Sequence, residues 1–362
     1  MSFRGSIRAV RISAALLCIF GAGVLIWEFV RFLVVFPHAG ALAAVLELPL
    51  VLIGFALLRR LRPTRAPALL WAAAALVWGA TAAAGCALLA NQGLTGLWAK
   101  SEGVTFASDW SASLSAPLNE ELLKLCGVVM VGLAAPLAIN GPLDGLVYGA
   151  LTGLGFQAVE NVTYGLNAIV MSGGTDPGRA VLNSALLRVG TAGLGSHWTM
   201  TAVAGAGAGY LILHTRRRRL IRDAARGGYP GRQPADAGAG RPGRPGRPGH
   251  GPLLAAAACL VAAVGMHLLF DAPAVAIELK VAVNFALVAI LYLLLSSAFL
   301  HRARELLSTA AAAGLLSTTE AGSVLSRRRR RQELRRIDPP AERDNLRKRQ
   351  QDILTELDAE AA

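Results

Sequence analysis

The chain has 362 residues, of which 54% are hydrophobic and 16% charged, and its formal net charge at pH 7 is +13. Together with a mean hydropathy of +0.48, this composition excludes an ordinary soluble domain and indicates a polytopic membrane protein. The positive charge is mostly arginine in predicted loops and in the C-terminal tail. Since these basic runs lack interleaved aromatic residues for base stacking, we expect contact with anionic lipid head groups and no nucleic-acid partner.

Apolar stretches long enough to cross a bilayer recur along the chain, so we predict an all-α, polytopic transmembrane helix bundle of about eight spans. The first apolar run follows a basic N-terminus, residues 1–11, and is too long for a signal peptide. It contains Glu28 and Arg31, three residues apart, which we expect to neutralise each other. The predicted spans cover approximately residues 12–36, 41–58, 68–90, 120–139 and 143–169, a sixth that ends at 214, and then 252–270 and 275–300.

The connections between these spans differ in composition. Residues 91–118 are predicted to be a poorly charged loop, 171–180 a turn-rich loop and 181–188 a short interfacial helix. Residues 215–250 contain Arg-Pro-Gly three times in succession and are predicted to be a disordered linker, because so short a Gly-X-Y run cannot form a triple helix. The charged tail, 301–362, is predicted to form one or two soluble or membrane-surface helices.

The distribution of arginine predicts the orientation in the membrane. The N-terminus, the 59–67 connection, the 214–250 segment and the tail are rich in arginine, whereas the alternate connections hold almost no basic residues. Eight spans with both termini in the cytoplasm satisfy this alternation. We therefore predict a multi-pass protein of the cell membrane, with a transmembrane domain over 12–300 and a cytoplasmic tail after it.

The predicted fourth span opens with Asn-Glu-Glu-Leu-Leu-Lys at 119–124, which places two carboxylates and an amine in an apolar helix. Charge in hydrocarbon is costly and normally marks a functional site. Lys124 can reach Glu120 at i,i+4 or Glu121 at i,i+3 on one helical face. The alternative interpretation is a helix N-terminal cap, where acidic residues favour the positive end of the helix dipole.

Further polar residues fall on other predicted spans. They are Glu160 and Asn161 on the fifth, His197 on the sixth, and His267 and Asp271 on the seventh. At about 1.5 Å per helical residue, these side chains and Glu120 converge on one outer layer of the membrane. Taken singly, each has a structural alternative: a carboxylate satisfied by a neighbouring helix, a packed imidazole, an interfacial anchor or a helix-terminal residue.

A shared, wet pocket of carboxylates and imidazoles can activate water. A partly desolvated carboxylate beside an amine can act as a general base, and imidazole or carboxamide donors can stabilise an oxyanion. The same side chains could instead hold a zinc ion with an open position for water, although the sequence contains no His-Glu-x-x-His. Four other charged residues near predicted span ends are interpreted as snorkelling or structural pairs: Asp144, Arg188, Glu278 and Lys280.

Four motifs in this order resemble those of the PrsW-type intramembrane proteases, distant relatives of the CAAX-processing and bacteriocin-immunity membrane proteases. They are Asn-Glu-Glu-Leu-Leu-Lys at 119–124, Gly-Phe-Gln-Ala-Val-Glu-Asn at 155–161, His197, and His267-x-x-x-Asp271. The resemblance covers about residues 115–275. It implies an endopeptidase that cuts a membrane protein, typically a single-pass substrate near the outer face, as in site-1 release of an anti-sigma factor.

The resemblance also implies roles for individual residues. The implied catalytic set is Glu120, Glu121, Lys124, Glu160, Asn161, His197, His267 and Asp271. Glu120 would be the general base, tuned by Glu121 and Lys124. His197 and His267 would be oxyanion donors, or would hold a divalent metal such as zinc together with Glu160. In the CAAX-processing relatives a His stands at the position of Glu160 and an Asn at that of Asp271, so a glutamate mechanism and a metal mechanism both stay open.

Two functions of other classes are alternatives. One is an ion-coupled membrane transporter whose carboxylates bind ions, although the sequence shows no internal repeat and no paired broken helices. The other is a non-catalytic membrane scaffold that recruits partners through its basic tail.

Overall fold

The computed structural model describes residues 3–225 and 250–360. All regular secondary structure in these residues is helical, as predicted. The helices in chain order are α1 (Phe3–Val35), α2 (Pro37–Leu58), α3 (Leu69–Ser101), α4 (Val104–Ala134), α5 (Pro142–Met171), α6 (Pro177–Ala185), α7 (His197–Ala225), α8 (Gly251–Asp271), α9 (Ile277–Ala312), α10 (Thr318–Ser323), α11 (Arg327–Arg336) and α12 (Pro340–Glu360).

Within the described residues, five helices have both the length and the apolar composition of a membrane span: α1, α2, α3, α8 and α9. The chain is therefore a multi-pass membrane protein. Helices α4, α5 and α7 contain 31, 30 and 29 residues, which at about 1.5 Å per residue exceeds a hydrocarbon core of about 30 Å. They carry most of the polar residues of the candidate site, so composition alone does not identify them as spans.

The predicted loop at 91–118 is wrong, because the structure has a helical hairpin there. Helix α3 continues to Ser101 and α4 begins at Val104, so only Glu102 and Gly103 lie between them. Gly103 has a φ of +95°, a left-handed conformation that glycine adopts without steric cost. Glu120 consequently lies near the middle of α4 and not at the start of a helix, which excludes its interpretation as a helix cap.

Polar side chains join the two arms of this hairpin. Oγ1 of Thr95 donates to Oγ of Ser111 over 3.2 Å, and Nε1 of Trp98 donates to Oγ of Ser115 over 2.8 Å. The polar residues that suggested a loop are therefore interhelical contacts.

Helix α5 lies at the centre of the bundle, and its glycines let neighbouring backbones approach it closely. A Cβ atom on Gly145 or Gly149 would clash with the backbone of α7, and one on Gly155 would clash with the backbone of α3 at Leu76. Small residues at such spacing allow close helix packing in membranes. Helix α5 is thereby held between α3 and α7, which fixes the direction of the polar residues on its second half.

Basic residues gather at one end of the bundle, around the 59–68 connection. The guanidinium of Arg62, 2% exposed, binds the carboxylate of Asp144 at the start of α5, with Nε 2.6 Å from Oδ1. This contact agrees with the structural pair predicted for Asp144. Arg11 of α1 donates from Nη2 to the carbonyl of Ala134 at the end of α4, over 2.9 Å. Glu28 and Arg31, which were predicted to neutralise each other within the first span, also form an ion pair.

The C-terminal tail packs against this same end. Three helical segments, α10, α11 and α12, follow α9, one more than the upper number predicted. Leu354 and Leu357 of α12 pack with Phe299 and Leu307 of α9 in one apolar cluster. Nη2 of Arg330 donates to the carbonyl of Thr64 over 2.5 Å, so the tail contacts the 59–68 connection directly.

The predicted linker begins later than expected. Helix α7 continues through the arginines at 216–219 to Ala225, so residues 215–225 are helical. The remainder of the predicted linker, 226–249, lies outside the described residues.

Candidate active site

Glu121 and Lys124 form a buried ion pair in the middle of α4. Nζ of Lys124 lies 2.6 Å from Oε1 of Glu121, and neither side chain is exposed. The same carboxylate accepts a hydrogen bond from Oγ1 of Thr201 on α7 over 2.9 Å and lies 3.1 Å from Nδ1 of His267 on α8. Glu121 thus connects three helices.

Glu120, the neighbouring carboxylate, is bound differently. Its Oε1 accepts a hydrogen bond from Nδ2 of Asn91 on α3 over 2.8 Å. Its Oε2 is buried and has no hydrogen-bond partner among the described residues. That oxygen lies 3.5 Å from Nζ of Lys124, 3.7 Å from Nε2 of His267 and 3.9 Å from Nδ1 of His197. One oxygen of Glu120 is therefore fixed, and the other faces an ammonium and two imidazoles.

Each imidazole presents one ring nitrogen to Glu120 and the other to a second carboxylate. Nδ1 of His267 lies against Glu121, and Nε2 of His197 lies against Glu160. Nδ1 of His197 lies 3.0 Å from Nζ of Lys124. Because an ammonium can only donate, that nitrogen accepts, and the ring proton of neutral His197 is on the nitrogen that faces Glu160.

A second group of polar contacts, which involves Glu160 and Asn161, extends from the site to α2. Nη2 of Arg188 lies 2.5 Å from Oε2 of Glu160, and its Nε donates to Oδ1 of Asn161 over 2.8 Å. Nδ2 of Asn161 donates in turn to Oε2 of the buried Glu47 over 3.0 Å. Arg188 therefore belongs to the polar network of the site: of its two predicted interpretations, the structural pair agrees with this contact and the snorkelling residue does not. It lies in a π-helical turn, Leu186–Thr191, between α6 and α7.

Asp271 is the last residue of α8. Its Oδ2 is 3.4 Å from Nε2 of His267, and its carbonyl accepts a hydrogen bond from Oγ of Ser113 on α4 over 2.8 Å. The two other charged residues predicted near span ends are Glu278, which is exposed, and Lys280, which is buried; within the described part of the chain neither pairs with this network.

A cavity of about 480 Å³ reaches this network between α1, α3 and α5. Glu120, Phe156 and Glu160 form part of its wall. Its volume is in the range of ordinary ligand pockets, about 300–1,000 Å³. The candidate base is therefore buried in the protein and adjacent to space that a substrate can fill.

The site has a donor set suited to a divalent metal. Ligand atoms of Glu120, His197 and His267 all lie within 4.8 Å of one another. The carboxylates on the far nitrogens of both imidazoles match the second shell of protein metal sites, where a carboxylate orients a ligating histidine. Glu160, which the resemblance implied as one possible metal ligand, contacts His197 and Arg188 in this structure, so Glu120 is the nearer carboxylate donor.

Sequence reasoning missed three residues of the network, Glu47, Asn91 and Thr201, and did not connect a fourth, Arg188, with the site. Glu47 and Arg188 are charges in or beside apolar runs and carried a usable signal, since charge at membrane depth is normally functional. Asn and Thr are uncharged and common residue types, so Asn91 and Thr201 carried no signal in the sequence. Only the packing of α3 and α7 against α4 brings them to the carboxylates.

The model of the family described as PrsW family intramembrane metalloprotease matches residues 67–230. This range contains Glu120, Glu121, Lys124, Glu160, Asn161 and His197, whereas His267 and Asp271 follow it. Searches of curated proteins and of solved structures give no significant match.

Proposed function

We propose that this chain is a member of the PrsW family of intramembrane metalloproteases, whose model matches residues 67–230, and that it hydrolyses its substrate with water activated at Glu120. The observation that carries this proposal is the buried Oε2 atom of Glu120, which lacks a hydrogen-bond partner among the described residues and faces two imidazoles. A buried acceptor is normally satisfied, so this oxygen is suited to bind a water molecule or a metal ion.

Hydrolysis of a peptide bond needs a general base for the attacking water and hydrogen-bond donors for the oxyanion. Glu120 takes a proton from water as the water oxygen bonds to the carbonyl carbon, and the carbonyl oxygen becomes an oxyanion. The ammonium of Lys124 and the imidazole of His267 supply N–H donors near that oxygen, whereas His197 accepts from Lys124 and holds that ammonium in place. When the C–N bond breaks, Glu120 returns the proton to the leaving amine. Glu121 holds Lys124 and His267 in place throughout.

Glu120, His197 and His267 would hold a divalent ion such as zinc. When bound, such an ion supplies Lewis acidity that polarises a carbonyl and makes water a better nucleophile. Glu121 and Glu160 would then orient His267 and His197 from outside the ligand set, each on the ring nitrogen that faces away from Glu120.

The substrate class we propose is a single-pass membrane protein resembling an anti-sigma factor, cut on the side of the membrane opposite the basic connections. The position of the site supports this choice. The arginine-rich contacts involve the start of α5 and the end of α4, whereas Glu160 lies eighteen residues after Pro142, on the order of 27 Å along α5.

We further propose eight spans in the cell membrane, with both termini in the cytoplasm. The arginine-rich ends of α1, α2 and α7 and the docked tail all lie at one end of the bundle, which the positive-inside rule assigns to the cytoplasm. The exposed arginines of α11, with the basic linker, are suited to contact anionic head groups there: Arg328, Arg329, Arg331, Arg335 and Arg336.

The test uses the full chain purified in detergent, with its metal content measured by mass spectrometry. A reconstituted single-span peptide is then assayed for cleavage with and without a chelator. We expect cleavage by the unmodified chain and loss of cleavage in Glu120→Gln and His267→Ala. His301→Ala is the matched control, because the His301 side chain is 76% exposed and lies away from the site.

Each result has a definite meaning. A metal that is lost in Glu120→Gln and His267→Ala but kept in His301→Ala would support the metal mechanism. Cleavage by a metal-free enzyme would support the glutamate mechanism. Equal cleavage in all three variants would exclude Glu120 as the base, and ion flux without hydrolysis would favour a transporter. Binding of partners without either activity would favour a scaffold.

A further inference from the structure

The cavity beside Glu120 has a polar rim and an apolar buried end. The rim carries exposed polar side chains, among them Gln92 and Thr95 on α3 and Asn167 on α5. The buried end is apolar and is formed by Leu25 of α1, Ala84, Ala87 and Leu88 of α3, and Phe156 of α5. Glu120 lies in the same wall, so whatever fills the cavity is next to the proposed base.

The volume of the cavity limits what it can hold. An α-helix of 10–12 Å diameter and 5.4 Å pitch occupies roughly 400–600 Å³ per turn, and the cavity measures about 480 Å³. A membrane-spanning helix of about twenty residues is several times larger. The cavity therefore accommodates a few residues of substrate, with one or two side chains at its buried end.

Two alanines keep the buried end open. Ala84 and Ala87 are 6% and 1% exposed and stand three residues apart, so they share one face of α3. They follow a π-helical turn, Gly79–Ala83, and such turns change which face of a helix points at a site. A larger residue at either position would fill the space that the alanine methyl groups leave.

The chemistry of the two regions indicates different substrate groups. A polar side chain at the buried end would lose its hydrogen bonds to water without replacement, which is unfavourable. At the rim, the amides of Gln92 and Asn167 can pair with peptide groups that lack helical partners, and the hydroxyl of Thr95, which donates to Ser111, can still accept from a peptide N–H. Unpaired peptide groups are costly in a membrane, so a rim of this kind favours an extended backbone.

We propose that this cavity is the specificity pocket of the protease, in which Ala84 and Ala87 admit a large apolar side chain of the substrate next to the cleaved bond. This inference rests on the proposed function for its reaction, and its binding step is tested separately. The substrate class is a single-pass segment with an extended stretch that carries Leu or Phe, and segments with a polar or charged residue at that position are rejected.

The first measurement is cleavage of three peptides in vesicles of phosphatidylethanolamine and phosphatidylglycerol. Each peptide is an apolar span of about twenty residues with a Gly-X-Ser stretch in its outer third, where X is Ala, Leu or Phe. We expect the unmodified chain to prefer Leu and Phe. Ala87→Leu should reduce cleavage of the Phe peptide about tenfold or more relative to the Ala peptide, the range expected for crowding an apolar pocket.

The matched control is Ala90→Leu, because Ala90 is on the same helix and does not line the cavity. It should keep the preference of the unmodified chain. If Ala87→Leu folds poorly, Ala87→Gly gives the opposite test, since a wider pocket should raise relative cleavage of the Phe peptide. Equal preferences in the Ala87 and Ala90 variants would overturn the proposal.

The second measurement does not depend on hydrolysis. The same peptide, with benzoyl-phenylalanine at X, is photo-crosslinked to the Glu120→Gln variant, and the adducts are mapped by mass spectrometry. Adducts within 84–95 or 156–167 support the pocket, and adducts elsewhere overturn it. Adducts in these ranges combined with no cleavage by the unmodified chain would retain the pocket and exclude the proposed proteolysis.

Discussion

The ammonium of Lys124 lies 2.6 Å from Oε1 of Glu121, and both side chains are fully buried. Two adjacent glutamates in one helix therefore have different environments. Glu121 is held by an ion pair, a threonine and a histidine. Glu120 accepts one amide hydrogen bond and keeps its second oxygen open to the imidazoles. We infer that Glu121 maintains the structure of the site and that Glu120 acts on the substrate.

Glu121→Gln should destabilise the protein more than Glu120→Gln. Removing the Glu121 charge leaves the buried Lys124 ammonium without its closest partner, and breaking one side of a buried ion pair costs about 3–5 kcal/mol. Glu120→Gln should lower the unfolding free energy less and abolish cleavage. Unfolding in detergent checks both variants, with Glu278→Gln as an exposed control. Equal destabilisation by the two site variants would contradict this division of roles.

Asn91→Leu should slow cleavage about tenfold to a hundredfold, the usual effect of removing a group that orients a site residue. The amide of Asn91 donates to Glu120 and its carbonyl oxygen accepts from Asn119 over 3.0 Å, so it fixes the rotamer of the proposed base. The rate should fall while the protein stays folded. Asn183→Leu, on the exposed surface of α6, should leave the rate unchanged. An unaffected rate in Asn91→Leu would exclude this role.

Arg188→Gln should lower both cleavage and stability, since it removes contacts to Glu160 and Asn161 at once. The expected loss of unfolding free energy is about 3 kcal/mol or less, because both charged side chains keep some solvent contact. Arg188→Lys should recover only part of the activity, as an ammonium does not reproduce the guanidinium geometry. The exposed Arg179→Gln serves as the comparison. Full recovery by lysine would show that charge alone matters.

Gly153→Ala should separate α5 from α7 and displace His197. A Cβ atom at this position would lie 2.5 Å from the carbonyl oxygen of His197, and forcing extra volume into a packed interior costs about 1–3 kcal/mol. Gly265→Ala adds the same methyl group on α8, where no atom lies within 4 Å. Unfolding and cleavage of the two variants should differ accordingly. Identical behaviour would indicate that the α5–α7 contact does not position His197.

The sequence was most informative about charged and polar residues that lie within apolar helical segments. Glu120, Lys124, Glu160, His197 and His267 stand out because polar groups are expensive in a membrane, and the structure places all five in one network. The 91–118 region was mispredicted for the opposite reason. Its Ser and Thr residues are polar enough to suggest a loop, yet they pair across the helical hairpin, and that pairing depends on tertiary structure.

Arg188 illustrates a second limit. Its charge was noticed, but its position near a predicted span end suggested a snorkelling residue or a structural pair and no link to the site. Only the π-helical turn Leu186–Thr191 directs its side chain to Glu160, and no local sequence signal specifies such a turn. Long helices and their charged residues are thus predictable from sequence, whereas the path of a short irregular segment is not.

The two-residue connection at Glu102 and Gly103 constrains how this enzyme can open. This connection joins α3 directly to α4. Ala87 on α3 and Glu120 on α4 therefore cannot separate at that end unless one of the two helices bends. Helix α5 is clamped by backbone contacts with α3 and α7. Helix α1, which contributes Leu25, is the least enclosed of the five candidate spans. Close backbone contacts of Gly21 with Thr81 and Gly85 nevertheless hold α1 against α3, so we expect a substrate to enter past the exposed rim of the cavity without separation of the helices.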